Sequence, residues 1–138
     1  MSLSPSDTRY APYLLAALRI MAGLLFLAHG VVKLFGFPPD AASGHQELLS
    51  LLGIAALIEV ATGILIVLGL FTRAAAFLAS GEMAVAYWMA HAPLSLFPAV
   101  NGGDAAIMFC FVFLYMAAAG PGALSLDGLL RNVEAQRV

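Results

Sequence analysis

Residues 54–70 read IAALIEVATGILIVLGL, and this run carries the clearest signal of the protein's architecture. Sixteen of its residues are apolar, small or threonine, and the exception is Glu59 near the middle. The stretch is long and lacks the alternation of a half-buried strand, so it predicts a helix that crosses a lipid bilayer. A carboxylate in such a helix needs a polar partner, because an ionisable side chain facing lipid costs at least about 2.5 kcal/mol.

The composition of the whole chain is that of a membrane protein. Of its 138 residues, 62% are hydrophobic and only 10% are charged, whereas soluble domains average about 25% charged residues. The net charge of −2 excludes the broad basic surface that nucleic acid requires, so no nucleic-acid partner is expected. The single cysteine, Cys110, excludes an intrachain disulfide and a dithiol redox motif.

Four apolar segments predict four membrane-spanning helices, at about residues 12–32, 48–70, 74–90 and 102–120. The expected fold is therefore all-α, a transmembrane four-helix bundle in up-down-up-down order that forms one integral membrane domain over residues 1–138. Only residues 71–73 separate the second and third segments, so these helices are expected to be antiparallel neighbours. Arg19 interrupts the first segment and no clear cleavage site follows it, which favours a retained span over a signal peptide.

The basic residues predict the orientation in the bilayer. Arg9, Arg73, Arg131 and Arg137 fall on one side of the predicted bundle, and Lys33 alone falls on the other. Basic residues concentrate on the cytoplasmic side of membrane proteins. Both termini are therefore expected in the cytoplasm.

The residues after GPG (120–122) predict a short amphipathic segment. Leu126, Leu129, Leu130 and Val133 recur at helical spacing. This pattern favours a helix that lies on the inner membrane surface. The alternative is a frayed tail.

Three charged residues lie inside the predicted spans: Arg19, Glu59 and Glu82. Measured from the cytoplasmic ends at about 1.5 Å per residue, their depths are about 10, 16 and 13 Å. We therefore expect the three side chains to converge, with Arg19 as the partner of Glu59. One arginine cannot neutralise two carboxylates, so one of the two glutamates is expected to carry a proton. The cluster is either a structural ion pair that fixes helix register or a ligand- and proton-binding site.

Small residues and histidines complete the list of candidates. Gly23, Gly30 and Gly63 are expected to let neighbouring helices approach closely. His29 and Lys33 lie one turn apart near the outer end of the first span, where they would contact a polar headgroup, an anion or a quinone carbonyl. His91 follows Glu82 by nine residues, which predicts opposite faces of an ideal helix. Neither haem ligation by the histidines nor a metal site is expected.

Three blocks of sequence resemble the DoxX family of small four-span bacterial membrane proteins. They are RIMAGLLFLAHGVVKLFG (19–36), LIEVATGILIVLGLFTRAAA (57–76) and GPGALSLD (120–127). The resemblance implies a multi-pass protein of the bacterial inner membrane, in a family with some subunits of quinone-linked oxidoreductases. The positions carried over are Arg19, His29, Lys33 and Glu59, with the packing glycines Gly23, Gly30 and Gly63.

Two functional hypotheses from different classes follow. In the first, the chain is a membrane subunit that binds a quinone or similar lipophilic molecule beside Arg19 and Glu59, with Glu59 exchanging a proton. In the second, it is a non-catalytic membrane anchor that recruits a soluble redox enzyme. Transport of a small solute is a third, less favoured alternative. The sequence contains no recognisable redox centre, and it leaves catalytic residues, substrate and oligomeric state open.

Overall fold

A helix lies over each of the four apolar segments of the sequence. The computed structural model describes residues 9–39 and 46–137, and within those ranges it is all-helical, with no strand. Part of the predicted domain and of the connection at 33–47 lies outside the described residues. The helices are α1 (Ala11–Phe35), α2 (Leu51–Leu68), α3 (Thr72–Ala86), a π-helical turn (Tyr87–His91), α4 (Pro98–Asn101), α5 (Asp104–Ala119) and α6 (Leu126–Ala135). Among the described helices, α1 and α2 are long and apolar enough to cross a membrane, and α5 is apolar but shorter.

Local chemistry sets the ends of the first helices. Ser50 caps α2 by accepting a hydrogen bond from the Gly53 N–H at 3.0 Å. Gly36 caps the C-terminus of α1, and Gly69 caps that of α2. Both adopt the left-handed conformation, which costs glycine no steric strain. Because α3 begins at Thr72, α2 and α3 are tightly linked and antiparallel, as the sequence predicts.

Helices α1 and α2 pack closely along a line of glycines. A Cβ atom on Gly30 would lie 2.9 Å from the Ala56 carbonyl oxygen, and one on Gly63 would lie 3.0 Å from the Leu27 Cα. The contacts join Gly23 to Val67, Leu27 to Gly63 and Gly30 to Val60. The α1 residue number rises from 23 to 30 while the α2 residue number falls from 67 to 60, so the two helices are antiparallel and keep one register along these contacts.

The second pair of helices is α3 and α5. Small residues of α3, including Ala76 and Ala79, lie fully buried against α5, whose Phe113 and Met116 are also fully buried. Phe26 of α1 joins the two pairs, since its ring centroid lies 4.9 Å from that of Phe113 in an edge-to-face arrangement. The core thus lies where the α1–α2 pair meets the α3–α5 pair.

Residues 120–127, which we call the C-terminal clasp, fasten one end of the bundle. Arg19, fully buried on α1, donates to the Leu124 carbonyl at 2.8 Å and the Ala123 carbonyl at 3.4 Å. The Asp127 carboxylate accepts from the backbone N–H groups of Phe71 and Thr72 at 2.8 and 2.9 Å, which caps the N-terminus of α3. The clasp therefore ties together α1, the α2–α3 link and α3.

A further arginine holds the C-terminus of α5 at the same end. Arg73 of α3 donates to the carbonyl oxygens of Ala117 and Ala118 in the last turn of α5. The backbone N–H of Ala123 donates to Pro12 at the start of α1. The start of α1, the α2–α3 link and the end of α5 therefore lie together.

Residues 126–135 form the amphipathic helix α6, whose first two residues belong to the clasp. Its apolar residues Leu129, Leu130 and Val133 are largely exposed. Ser125 caps the helix by accepting from the Gly128 N–H at 3.1 Å. The segment is a capped helix in the structure rather than a frayed tail.

Candidate functional site

A cleft of about 740 Å³ lies between the α1–α2 pair and the α3–α5 pair. On α2 its lining residues fall between Leu51 and Glu59, and on α3 between Phe77 and Ala86. Neither helix contributes a residue close to the 69–71 link. The cleft therefore lies between the parts of α2 and α3 that are far from the link, toward the end opposite the C-terminal clasp.

The cleft contains one buried ion pair. Lys33 Nζ on α1 lies 2.6 Å from Glu59 Oε1 on α2. The Glu59 side chain is 1% exposed, whereas that of Lys33 is 23% exposed. The second carboxylate oxygen of Glu59, Oε2, is buried and has no hydrogen-bond partner among the described residues. Glu59 thus keeps one acceptor unused after pairing with Lys33.

Glu82 of α3 also lines the cleft. Both of its carboxylate oxygens are buried and have no hydrogen-bond partner within residues 9–39 and 46–137. Glu82 is close enough to Glu59 and Lys33 to interact electrostatically with both. Two acidic side chains therefore share a single nearby lysine, and a buried polar group without a partner costs free energy unless something binds it.

His29 contributes from the wall formed by α1. Its Nδ1 lies 2.7 Å from the Leu25 carbonyl oxygen. A carbonyl only accepts, so Nδ1 carries the hydrogen in that contact, and Nε2 of the neutral ring is an acceptor. The ring packs edge-to-face against Phe109 of α5, with centroids 5.9 Å apart. His29 is therefore oriented by its surroundings, and its Nε2 has no hydrogen bond to any residue in the described part of the chain.

His91 lines the same cleft as Glu82, and the predicted placement on opposite faces is wrong. The reason is the π-helical turn Tyr87–His91, which has more residues per turn than an α-helix and so rotates His91 relative to an ideal helix. His91 Nδ1 lies 3.0 Å from the Asn101 carbonyl oxygen. Its position thus depends on both the π-helical turn and the loop that follows.

Arg19 is not part of the cleft, and the predicted pair between Arg19 and Glu59 is wrong. The antiparallel register places Arg19 beside Gly69, since a Cβ atom on Gly69 would collide with the Arg19 guanidinium. Lys33 lies about 21 Å further along α1 than Arg19 and is the residue that reaches Glu59. Of the predicted site residues, the structure brings together His29, Lys33, Glu59 and Glu82, and it places Arg19 against the C-terminal clasp.

The apolar wall residues of the cleft were not among the predicted site residues. Phe26, Met83, Ala106 and Phe109 line the cleft together with the polar group. Their sequence signal is that of any buried helix face, so only the arrangement of the helices distinguishes them. The site as a whole can hold a molecule with an apolar body and a polar group that exchanges hydrogen bonds or a proton.

Comparison with known proteins agrees with the resemblance seen in the sequence. The family model for DoxX matches residues 14–92, which covers most of α1 and all of α2, α3 and the π-helical turn. A protein of Haemophilus influenzae described as uncharacterized is 42% identical over 123 residues, which cover 86% of this chain and 92% of the relative. No solved structure matches the chain. Both similarities extend over the helices that form three walls of the cleft.

Proposed function

Because this chain belongs to the DoxX family, a family of membrane proteins, we propose that it crosses the bacterial inner membrane four times and binds a quinone or similar lipophilic molecule in the cleft. The spans are α1, α2, α3 with its π-helical turn, and α5. Helix α3 has fifteen residues and the π-helical turn adds five, which together approach the length that a bilayer requires. Helix α5 is about 24 Å long, and local thinning of the bilayer accommodates a short span.

The contacts at the clasped end support a cytoplasmic location for both termini. The start of α1, the 69–71 link and the end of α5 meet at that end. Arg9 precedes α1, and Arg73 lies at the start of α3 beside the link. This concentration of arginine at one end agrees with the bias of cytoplasmic loops toward basic residues. The cleft then lies in the outer half of the membrane.

The observation that carries the proposal is the group of unpaired acceptors in an otherwise apolar cleft. Among the residues that the structure describes, both carboxylate oxygens of Glu82 and one of Glu59 are buried without a hydrogen-bond partner. Such groups are costly inside a membrane protein and commonly mark a ligand or proton pathway. A quinone head has carbonyl oxygens that accept hydrogen bonds and, when reduced, hydroxyl groups that donate them. Lys33 can donate to the first form, and the glutamates can accept from the second.

The apolar walls favour a lipophilic ligand over a small polar solute. Phe26 and Phe109 flank the polar group, with ring centroids 5.6 Å apart. A flat ring inserted beside them gains aromatic contacts in addition to the burial of apolar surface. Lys33, Glu59 and Glu82 then fix the orientation of its polar atoms. The chain thus supplies binding and proton acceptance, while electron transfer requires a redox partner.

Titration of the purified protein in nanodiscs with a short-chain quinone, followed by calorimetry, tests this proposal. We expect Glu82→Gln and Lys33→Ala to weaken binding by about tenfold or more, because each removes a hydrogen-bonding charge from a buried site. Glu134→Gln, an exposed carboxylate on α6, is the matched control and should bind as the unchanged protein does. Absence of binding by the unchanged protein would contradict the proposal and favour the assembly role.

A further inference from the structure

We propose, on the basis of that function, that the ligand has one long hydrocarbon tail and reaches the cleft sideways from the bilayer, between α2 and α3. Its head meets Lys33, Glu59 and Glu82, and its tail stays in the gap between the two helices. The substrate class is therefore a tailed lipid such as an isoprenoid quinone, rather than a water-soluble quinone or solute.

The rim of the gap is exposed and apolar. Ile54 on α2 is 48% exposed, and Phe77 and Leu78 on α3 are 68% and 51% exposed. All three line the cleft. In a membrane-spanning bundle, such side chains contact lipid tails. The cleft is therefore continuous with the hydrocarbon at this rim.

Gly81 leaves the gap open on the α3 side. It lies one residue before Glu82 and lines the cleft. Apart from its chain neighbours and the nearby backbone of its own helix, no heavy atom lies within 4 Å of the position that its Cβ would occupy. Gly23, Gly30 and Gly63 differ from it, because helix atoms of the neighbouring span fill the space beside each of them. Gly81 thus makes no close contact with a neighbouring helix. It borders open space next to the Glu82 carboxylate.

The inner wall of the cleft is closed. Phe26 is 1% exposed and Ala106 is 7% exposed, and both belong to the packed core between the helix pairs. A tail that extends away from Lys33 and Glu59 is blocked by this wall. The exposed rim between α2 and α3 offers it an apolar path into the bilayer.

The experiment uses the full chain in nanodiscs and a quinone with a ten-carbon tail that ends in a photoreactive diazirine. After irradiation, we expect mass spectrometry to find the label on the exposed rim residues of α2 and α3, and an excess of unlabelled decyl quinone to suppress it. Suppressible label confined to α1, α5 or the loop at 92–103 would overturn lateral access. If the protein shows no suppressible label and binds no quinone by calorimetry, the proposed function itself fails.

Gly81→Leu provides an independent test, because leucine fills the gap without removing a polar group. We expect it to weaken binding of the decyl quinone by about tenfold, while a tail-less quinone keeps its affinity within about threefold. Ala61→Leu, on the exposed side of α2 outside the cleft, is the matched control and should change neither. Equal affinity of Gly81→Leu and the unchanged protein for the decyl quinone would overturn the inference.

Discussion

Lys33 and Glu59 face each other across the α1–α2 contact, with Nζ and Oε1 2.6 Å apart. The acid in the middle of the apolar run at 54–70 is therefore paired with a lysine from near the end of α1. The long, flexible lysine side chain reaches the carboxylate while remaining partly exposed in the cleft. The charged groups that this pair places in the cleft therefore depend on how α1 and α2 are aligned.

We expect Lys33→Met to lower the free energy of unfolding by about 3 kcal/mol, because it leaves Glu59 as a buried charge without its partner. Unfolding in mixed micelles, followed by circular dichroism, measures the change. The double variant Lys33→Met with Glu59→Gln should recover much of the loss. Additive effects of the two substitutions would show that the pair contributes no coupling to stability.

Gly30→Ala and Gly81→Ala should differ although both add one methyl group to a membrane helix. At Gly30 the new Cβ would lie 2.9 Å from backbone atoms of α2, so the α1–α2 pair must separate. We expect a loss of about 1 to 3 kcal/mol. At Gly81 the space is open, and alanine should be neutral or stabilising by up to about 1 kcal/mol. Thermal unfolding of both variants under identical conditions is the measurement, and equal destabilisation would contradict the assignment.

Arg19→Lys should loosen the C-terminal clasp and leave ligand binding in the cleft unchanged. Both hydrogen bonds to Ala123 and Leu124 come from Arg19 Nη2. Lysine is shorter and lacks the planar guanidinium, so we expect these bonds to weaken, with a loss of about 1.5 to 3 kcal/mol. Hydrogen exchange should become faster at the Ala123 and Asp127 amides, which donate to Pro12 and Gly69. Arg137→Lys is the matched control. A loss of quinone affinity in an Arg19→Lys variant that remains folded would show that Arg19 contributes to the ligand site, and would contradict this prediction.

Asp127→Asn should destabilise the clasp in a pH-dependent manner. Burial alone would raise the pKa of Asp127, but hydrogen bonds from the Thr72 and Phe71 N–H groups outweigh it and hold the pKa below its ordinary value. A carboxylate with a lowered pKa stabilises the folded state fully above its ordinary pKa of about 3.9. That contribution is lost as the pH falls through the pKa of the folded state.

We therefore expect Asp127→Asn to cost about 0.5 to 2 kcal/mol at pH 7, and to cost progressively less below about pH 4. Trypsin cleavage at Arg131 at neutral pH should become faster. Thermal unfolding from pH 7 down to pH 3 measures how the stability difference between the variant and the unchanged protein depends on pH. Glu134→Gln, an exposed change on the same helix, is the control. A stability difference that is constant over this range would exclude the ionised carboxylate as its cause.

The helices and their linked order were predictable because lipid constrains them strongly. Apolar length indicated the segments, and the short link at 71–73 required α2 and α3 to be antiparallel. The register of α1 against α2 was not predictable, because glycine spacing identifies a contact face and not the residue that each glycine meets. The predicted depths assume that all helices begin at the same level. On that assumption Arg19 lies closest in depth to Glu59, so Arg19 was predicted as its partner in place of Lys33.

Two other features of the cleft have no clear signal in the sequence. The π-helical turn at Tyr87–His91 depends on how α3 meets the loop after it, and without it His91 is placed on the wrong face. The opening of a cleft between α2 and α3 depends on how the two helix pairs pack together. Both effects arise from tertiary contacts that single-helix periodicity does not contain.

The C-terminal clasp limits how motion passes from one end of the bundle to the other. It anchors α1, α3 and their connections at one end, so a bound molecule that forces α2 and α3 apart would pivot them about the 69–71 link. Displacement would be greatest at the end opposite the clasp and smallest at α6. We therefore expect a protein docked at the clasped end to sense little of whether the cleft is occupied, whereas one docked at the opposite end would sense it directly.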